Sequence, residues 1–586
     1  MTTLTPRSTD QPGDDARDTP AGRPSAAPAG GAPGHAAPAP SFGPMPPPPG
    51  TLTAVPHADQ SRTTPADVPA TRPGAPRPDR TRPVPLGELA AKLGTTAPGD
   101  AQVTGITHDS RAVRPGDVYA ALPGARAHGA DFAGQAADLG AVAVLTDPTG
   151  AERAAATGLP VLVTEQPRGR MGELAADIYG RPGEDLLQIG ITGTSGKTTT
   201  AYLVEGGLKA AGRSTGLIGT VEMRIGDERI KSERTTPEAT DLQALFAVMR
   251  ERGTEAVAME VSSHALVLGR VDGCVFDVAV FNNLSPEHME FHSGMEDYFQ
   301  AKAQLFTPRR SRRGVVNLDD EYGQRLVKEA SVPITTFSAE GHPDADWRAE
   351  DVEVGATGST FTVVAPDGRR ISAAAPLPGP FNVANTLAAI TVLAVAGIDP
   401  QTAADGVAAV PGVPGRLERV DAGQPYLALV DYAHKTDAVE SVLRSLRKVT
   451  EGRLHIVLGC GGDRDTTKRG PMGAAAARLA DTAVLTSDNP RSEDPLAILA
   501  AMLAGAAEVP THERGDVIVE EDRADAIAAV VARAKPGDTV LVAGKGHEQG
   551  QDVAGVIRPF DDREVLRDAI QAHSQTPASP HPNTQG

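Results

Sequence analysis

One segment constrains this chain more than any other: LLQIGITGTSGKTTTAYLVEGGLKAAG, residues 186–212. An apolar run, a glycine-rich turn and a helix-forming stretch follow one another, the pattern of strand, tight loop and helix in an open α/β sheet. Gly193 and Gly196 let the backbone fold tightly enough for amide N–H groups to face one anion, and the positive end of the following helix adds to them. In the loop Gly193, Thr194, Ser195, Gly196, Lys197, Thr198, Thr199, the lysine is expected to reach the β- and γ-phosphates of a nucleotide. The Thr198 hydroxyl is expected on Mg²⁺. The general spacing G-x-x-x-x-G-K-[ST] would need glycine at 191, where this chain has Ile191. The loop is a shorter form.

Proline marks the first boundary. Residues 1–84 carry 20 of the 50 prolines, interleaved with Ala, Gly, Thr and Arg. Such a stretch cannot bury enough apolar area to offset its ordering entropy, so 1–84 is expected to be a disordered extension and 573–586 a second loose tail. Between them three α/β sections are expected. In residues 85–183, helical LGELAAKLG alternates with strand-like AVAVLTD and LPVLVTE. Residues 184–412 read as a larger doubly wound domain built on LLQIGITG, EAVAMEVSS, FDVAVFNN and GVVNLD. Residues 413–572 repeat the arrangement with YLALVDYA, LHIVLGC, TAVLTSD and DTVLVAGKG. Chemistry is expected just beyond the carboxyl ends of these strands.

Composition excludes several classes. Acidic residues outnumber basic ones 75 to 56, for a net charge of −19, which argues against a nucleic-acid clamp. Two cysteines, Cys274 and Cys460, leave neither a disulfide scaffold nor a Cys-rich zinc site. No apolar run approaches the ~18–20 residues of a membrane span, and MTTLTPRSTD lacks the apolar core of a secretory signal. A cytoplasmic protein is expected.

Twelve motifs spread over 85–572 carry a resemblance: DSRAVRPGDVYAALPG, GTSGKTTT, TTPEATD, MEVSSHAL, NNLSPEHMEFH, YFQAKAQLF, GPFNVANT, PGRLERV, VDYAHKTDA, GCGGDRD, DNPR and GKGHEQ. In this order and spacing they resemble those of the Mur ligases, ATP-dependent amide-bond ligases of peptidoglycan precursor synthesis. The resemblance implies an N-terminal UDP-substrate domain, a central P-loop ATPase and a C-terminal Rossmann-like domain that closes over the site. It implies ATP, UDP-MurNAc-L-Ala-D-Glu and an amino acid as partners, Mg²⁺ as cofactor and a monomer, with no nucleic acid. A substrate carboxylate attacks the γ-phosphate to give an acyl phosphate, which an amine then displaces.

The resemblance also assigns residues. Thr198, Glu260, His288 and a carbamylated Lys302 are implied as metal ligands, and Lys197, Glu260, His288 and Lys302 as the catalytic set. Carbamylation turns the lysine into a carboxylate-like anion, resolving the repulsion between an ammonium and Mg²⁺. Asn382 and Asn385 are implied near adenine, with Arg416 and Asp431 on phosphate and ribose and His434 beside them. Ser110, Ala125, Arg126 and Ala127 fall on the uridine side. Thr235, Thr236, Ser262 and Arg270 fall on the MurNAc-dipeptide; several relatives carry Gln two residues before that Arg, where this chain has Leu268. Arg464, Asp488, Asn489, Pro490, Arg491, Gly544 and Glu548 form the amino-acid pocket. DNPR resembles the diaminopimelate-adding members, because a guanidinium binds the far carboxylate of that amino acid bidentately, while Glu548 suits its far ammonium. Folylpolyglutamate synthetase, the D-Ala-D-Ala-adding ligase, a catalytically dead binding protein and a nucleotide-driven switch are the alternatives.

Overall fold

The computed structural model describes residues 75–97 and 99–575. Most of the expected extension, residues 1–74, and the tail beyond 575 lie outside the described residues. Two expected boundaries shift. Ahead of residue 85, Arg77 forms a buried ion pair with Asp117 at 2.7 Å. The backbone N–H groups of Asp79 and Arg80 donate to the two oxygens of Glu251. At the other end the helix Asp562–Gln575 runs past 573 because Leu566 and Ile570 are buried along it.

Three sheets follow one another along the chain. The first has four parallel strands in the order Gly105–Thr107, Asp117–Ala121, Ala143–Thr146, Val161–Val163. Its core is shared with Ala239, Ala244 and Ala247 of the helix Ala239–Glu251, which docks the first section onto the second.

The second sheet has eleven strands. At its centre Leu187–Thr192 lies between Ala256–Glu260 and Val278–Phe281, all parallel. Strands Gly314–Asn317, Ile334–Ser338 and Trp347–Val354 continue the sheet on one side. The four strands Leu187–Thr192, Ala256–Glu260, Val278–Phe281 and Gly314–Asn317 are mostly apolar and buried along their length, as strands covered on both faces require. One face packs on the helices Lys197–Ala210 and Pro380–Val395, the other on Ala239–Glu251 and Met295–Ala303. Antiparallel strands close both edges, Glu222–Ile225 with Glu228–Lys231 and Ser359–Val364 with Arg370–Ala375. The sequence reading did not foresee these edges. Their half-exposed polar alternation lacks the apolar runs that mark the interior strands.

The third sheet places Leu427–Asp431 next to Thr539–Ala543, then Leu454–Cys460, Thr482–Ser487 and Asp516–Val519, all parallel, with a short antiparallel edge at Glu418–Arg419. In the middle of both larger sheets, adjacent strands come from distant parts of the chain: Leu187–Thr192 lies against Ala256–Glu260 and Val278–Phe281, and Thr539–Ala543 against Leu427–Asp431 and Leu454–Cys460. Their carboxyl ends therefore open a crevice where residues remote in sequence meet.

Candidate functional site

The loop after Leu187–Thr192 is built as its glycines demand. Gly193 and Gly196 have φ of 150° and 83°, and a Cβ on Gly196 would lie 2.3 Å from Asn385 Oδ1. Only glycine gives both the backbone angle and the room. The helix then starts at Lys197, whose ammonium donates to the carbonyls of Gly193 and Thr194, each at 2.9 Å. The Ser195 N–H donates to Asn283 Oδ1, and Thr199 is buried in the first helical turn.

Glu260 ends the neighbouring strand and is 1% exposed. The Thr198 hydroxyl donates to its Oε1 at 3.0 Å and the Thr220 N–H to the same oxygen at 2.8 Å. The Thr220 hydroxyl takes Oε2 at 3.1 Å and also meets the Thr235 hydroxyl. The Thr236 hydroxyl donates to the Glu260 carbonyl and accepts the Ser262 N–H. One carboxylate thus ties the phosphate loop to the TTP motif.

Lys302, 1% exposed on the helix Met295–Ala303, donates to the Gly193 carbonyl at 2.9 Å, with its nitrogen 4.7 Å from the Tyr298 ring centre. Burial, then the nearby Lys197 charge, lowers its pKa well below the usual lysine value. A buried lysine so placed favours the neutral amine. Lys197 is shifted down as well, first by burial, with Glu287 and Glu260 opposing.

His288 holds a left-handed backbone, φ 58°, which in a non-glycine residue stores ~1–3 kcal/mol of strain. Its Nε2 lies 3.3 Å from Glu287 and its Nδ1 3.5 Å from Glu290, and the ring meets His264 edge-on at 4.6 Å. Sequence reasoning missed Glu287. Its carboxylate pairs with Lys435 of the third section and lies 3.5 Å from the Tyr298 hydroxyl, which is 3.1 Å from the Thr194 hydroxyl. Lys435 and Lys197 hold the Glu287 carboxyl down at about 2 against the upward push of burial.

Of the four expected metal ligands, Thr198 and Glu260 are in direct contact, and Lys302 reaches the same loop at Gly193. Among the described residues no group of three or more His, Cys, Asp or Glu side chains converges on a metal position. His288 is turned to its acidic neighbours and Lys302 to a carbonyl. What the structure brings together is a hydroxyl and a carboxylate, Thr198 and Glu260. That hard-oxygen pair fits Mg²⁺, which keeps several waters and completes its octahedron with substrate phosphates.

Asn382 and Asn385 are buried at the start of the helix Pro380–Val395. Asn382 donates to the Pro378 carbonyl and accepts from Asn385, while Asn385 borders Gly196. Arg416 crosses from the third section: its Nη2 donates to the Thr198 hydroxyl at 3.3 Å, with the guanidinium 4.6 Å above the Tyr432 ring. Asp431 spends both carboxylate oxygens on the N–H groups of Leu417 and Ala433, each at 2.7 Å. It thus braces this junction with both oxygens, where the sequence led to the expectation of a ribose contact. His434 Nδ1 lies 2.8 Å from the Tyr432 carbonyl.

On the expected uridine side, Ser110 donates to Gln135, and Ala125, Arg126 and Ala127 form an exposed loop. Ser262 caps the helix Ser263–Val267, which ends at Leu268. Arg270 is held by Glu238 at 3.0 Å, and Arg168 holds the other oxygen of the same carboxylate.

The carboxyl ends of the third sheet bring DNPR and GKGHE together. Asn489 donates to Glu548 at 2.8 Å and accepts the Asp552 N–H. Lys545, fully buried and not foreseen from sequence, donates to Asn489 Oδ1 at 3.1 Å and Glu548 Oε2 at 3.0 Å, and lies 3.8 Å from Asp488. The lysine in GKGHE was a signal for it: a charge inside an apolar strand end must find carboxylates. Gly544, φ 113°, leaves no room for a Cβ, which would lie 2.7 Å from Asp488 Oδ2. Arg491, after Pro490, is left-handed with φ 52° and donates to the Gly462 carbonyl at 2.7 Å. Arg464 is exposed on the neighbouring loop.

Known proteins share this arrangement. Residues 102–179, 191–393 and 415–546 match the family models described as Mur ligase family, catalytic domain; Mur ligase middle domain; and Mur ligase, glutamate ligase domain. Similar curated proteins include the UDP-N-acetylmuramoyl-L-alanyl-D-glutamate--2,6-diaminopimelate ligases of Streptomyces avermitilis and Streptomyces coelicolor. They are 84% and 83% identical over 488 residues, 83% of this chain and 96% of each relative. A solved structure of a ligase of that name is 33% identical with a TM-score of 0.63, covering 84% of this chain and all of that one. The MurF ligase of Thermotoga maritima in complex with ADP shares the fold at 19% identity, with a TM-score of 0.55 over 81% of this chain and 99% of that one. With all three family models in order along its sheets, the chain belongs to the Mur ligase family.

Proposed function

We propose that this protein joins diaminopimelate to the D-Glu γ-carboxylate of UDP-MurNAc-L-Ala-D-Glu at the expense of ATP, in the cytoplasm, as a monomer. The observation that carries the reading is the presence of two clusters: a phosphate loop bordered by Glu260 and Lys302, which Arg416 and Lys435 reach from the third section, and the DNPR–GKGHE meeting at the third sheet, where Asn489 bonds Glu548. The names of the Streptomyces relatives support the same acceptor.

In this reading the amides of the Gly193–Thr199 loop and Lys197 bind the triphosphate, and Thr198 with Glu260 would hold Mg²⁺. When bound, the ion neutralises charge on the β- and γ-phosphates. Arg270, Thr235, Thr236 and Ser262 bring the dipeptide carboxylate toward the γ-phosphorus. The acyl phosphate then meets the amine delivered from the third section. Arg491 binds the far carboxylate and Glu548 the far ammonium. Burial lowers the Lys302 pKa well below the usual lysine value, which favours the amine form that takes up CO₂, so its carbamate is part of the proposal. Closure of the third section excludes water, which would otherwise hydrolyse the acyl phosphate.

ADP release is measured with ATP, UDP-MurNAc-L-Ala-D-Glu and one amino acid at a time. Turnover with diaminopimelate and little with lysine is expected. Equal turnover with lysine, or turnover independent of any amino acid, would refute the reading.

A further inference from the structure

Two cationic side chains reach the phosphate loop from the third section. Arg416 meets Thr198. Lys435, the residue that opens the helix Thr436–Arg447, meets Glu287. The surroundings of the second contact are unusual. Glu287 is anchored beside the loop through the Tyr298 hydroxyl, which bridges to Thr194, and its own neighbour His288 lies 3.3 Å away. Lys435 is 24% exposed and Glu287 12%, so the pair is screened less than a surface ion pair. The charges of Glu287 and Glu260 and, opposing them, those of Lys435 and Arg416 act on the Lys197 ammonium. Three cations, Lys197, Lys435 and Arg416, thus gather around one loop against the carboxylates Glu260 and Glu287. An ion pair formed only to join two sections needs no second cation within the field of the phosphate lysine.

We propose that Lys435 is a further catalytic residue of the ligation reaction, supplying from the third section a cation to the phosphoryl group in transfer, with Glu287 as the positioning residue that holds its ammonium beside the phosphate loop. The inference rests on the ATP-dependent reading above. In the step it serves, a substrate carboxylate oxygen forms a bond to the γ-phosphorus as the bond from that phosphorus to the β-bridging oxygen breaks. ADP leaves with that electron pair, and no proton moves. Charge spreads over the three equatorial oxygens of the phosphoryl group. An ammonium there lowers the barrier where a merely structural ion pair would not, as preorganised cations do in a water-poor site. Because Lys435 belongs to a different sheet from the loop, the cation is in place only when the two sections are together. This couples closure to chemistry.

The test uses the full chain with Lys435→Met, Lys435→Arg, Glu287→Gln and the double variant Lys435→Met/Glu287→Gln. Two readouts are taken: steady-state ADP release, and equilibrium binding of ADP and of a non-hydrolysable ATP analogue without acceptor. Lys435→Met is expected to lower kcat about 10²-fold, in the range for loss of one transition-state donor. It should weaken the ATP analogue, which carries a γ-phosphate, by several-fold while leaving ADP within twofold. Lys435→Arg should recover part of kcat. Glu287→Gln should lose less than Lys435→Met, and the double variant should be no worse than Lys435→Met. Equal weakening of ADP and the analogue would make Lys435 a structural latch and overturn the proposal, as would kcat within threefold of wild type. Failure of the wild type to turn over diaminopimelate would instead refute the acceptor assignment, while the nucleotide-binding comparison would still decide the role of Lys435.

Discussion

Replacing Arg491 separates amino-acid selection from folding, because the structure gives both costs. Among the described residues the guanidinium makes one hydrogen bond, to the Gly462 carbonyl at 2.7 Å. On a half-exposed side chain this bond contributes about 1 kcal/mol. The left-handed backbone at φ 52° costs about as much in any residue but glycine. In Arg491→Gly the two effects nearly cancel, so its melting temperature should match the wild type. Arg491→Ala keeps the strain, loses the bond and should melt slightly lower. Catalysis behaves otherwise. Removing one partner of a paired Arg–carboxylate contact in a closed pocket costs roughly 2–5 kcal/mol, about 30- to several-thousand-fold in kcat/KM for diaminopimelate. Lysine has no far carboxylate, so its low turnover should hardly change. Arg491→Lys should recover only part, since an ammonium lacks the planar fork. Steady-state ADP release with each amino acid, beside thermal unfolding of each variant, gives the comparison. Equal loss for diaminopimelate and lysine, or a stability loss that accounts for the activity loss, would show Arg491 to be a folding or closure residue.

Three further outcomes are expected. Lys302→Ala should lower turnover ~10²–10⁴-fold and be partly rescued by formate or acetate; near-wild-type activity would remove the carbamate from the mechanism. Arg77→Met strands Asp117, which is 2% exposed, so it should cost about 3–5 kcal/mol locally, read as faster proteolysis around residues 77–85. A chain starting at residue 83, which lacks Arg77, should show faster proteolysis around Asp117, and one starting at 75 should not. Burial, helped by the Lys435 and Lys468 charges, lowers His434 to about 4 from an ordinary 6.5. Between those values the unfolded chain binds the proton that the folded one refuses, so this contribution to stability is complete above pH 6.5 and is lost as pH falls toward 4. Melting temperatures of wild type and His434→Gln should therefore diverge on acidification, the wild type falling faster; parallel curves would contradict the shift.

The interior strands were legible from their apolar runs: LLQIGITG became Leu187–Thr192, and DTVLVAGKG became Thr539–Ala543. The edges Glu222–Lys231 and Ser359–Ala375 were not, because half-exposed strands carry mixed residues whose alternation is short and broken by turns. The phosphate loop followed from its place between strand and helix, while the role of Glu260 and the DNPR–GKGHE grouping came from the family resemblance. What sequence left out were the partners of those motifs. Glu287 precedes His288, Lys435 follows His434, and Lys545 sits inside GKGHE, yet each acquires its role from a residue far off in the chain: Lys435, Glu287 and Asn489 respectively. Nothing local distinguishes such a charge from a solvated one. The binding of Arg77 to Asp117 was hidden for a related reason, since proline-rich composition says little about a single anchoring side chain.

The two larger sheets keep separate cores, one wrapped around Leu187–Thr192 and its neighbours, the other around Leu427–Asp431 and Leu454–Cys460. Energy transduction and acceptor choice are therefore inherited as separable modules. On the proposed function, substitutions in the loops after Cys460, Ser487 and Ala543 would retune which amine is admitted while the nucleotide engine stays intact. Such a chain can explore new acceptors in evolution without first having to reinvent the activation of a carboxylate.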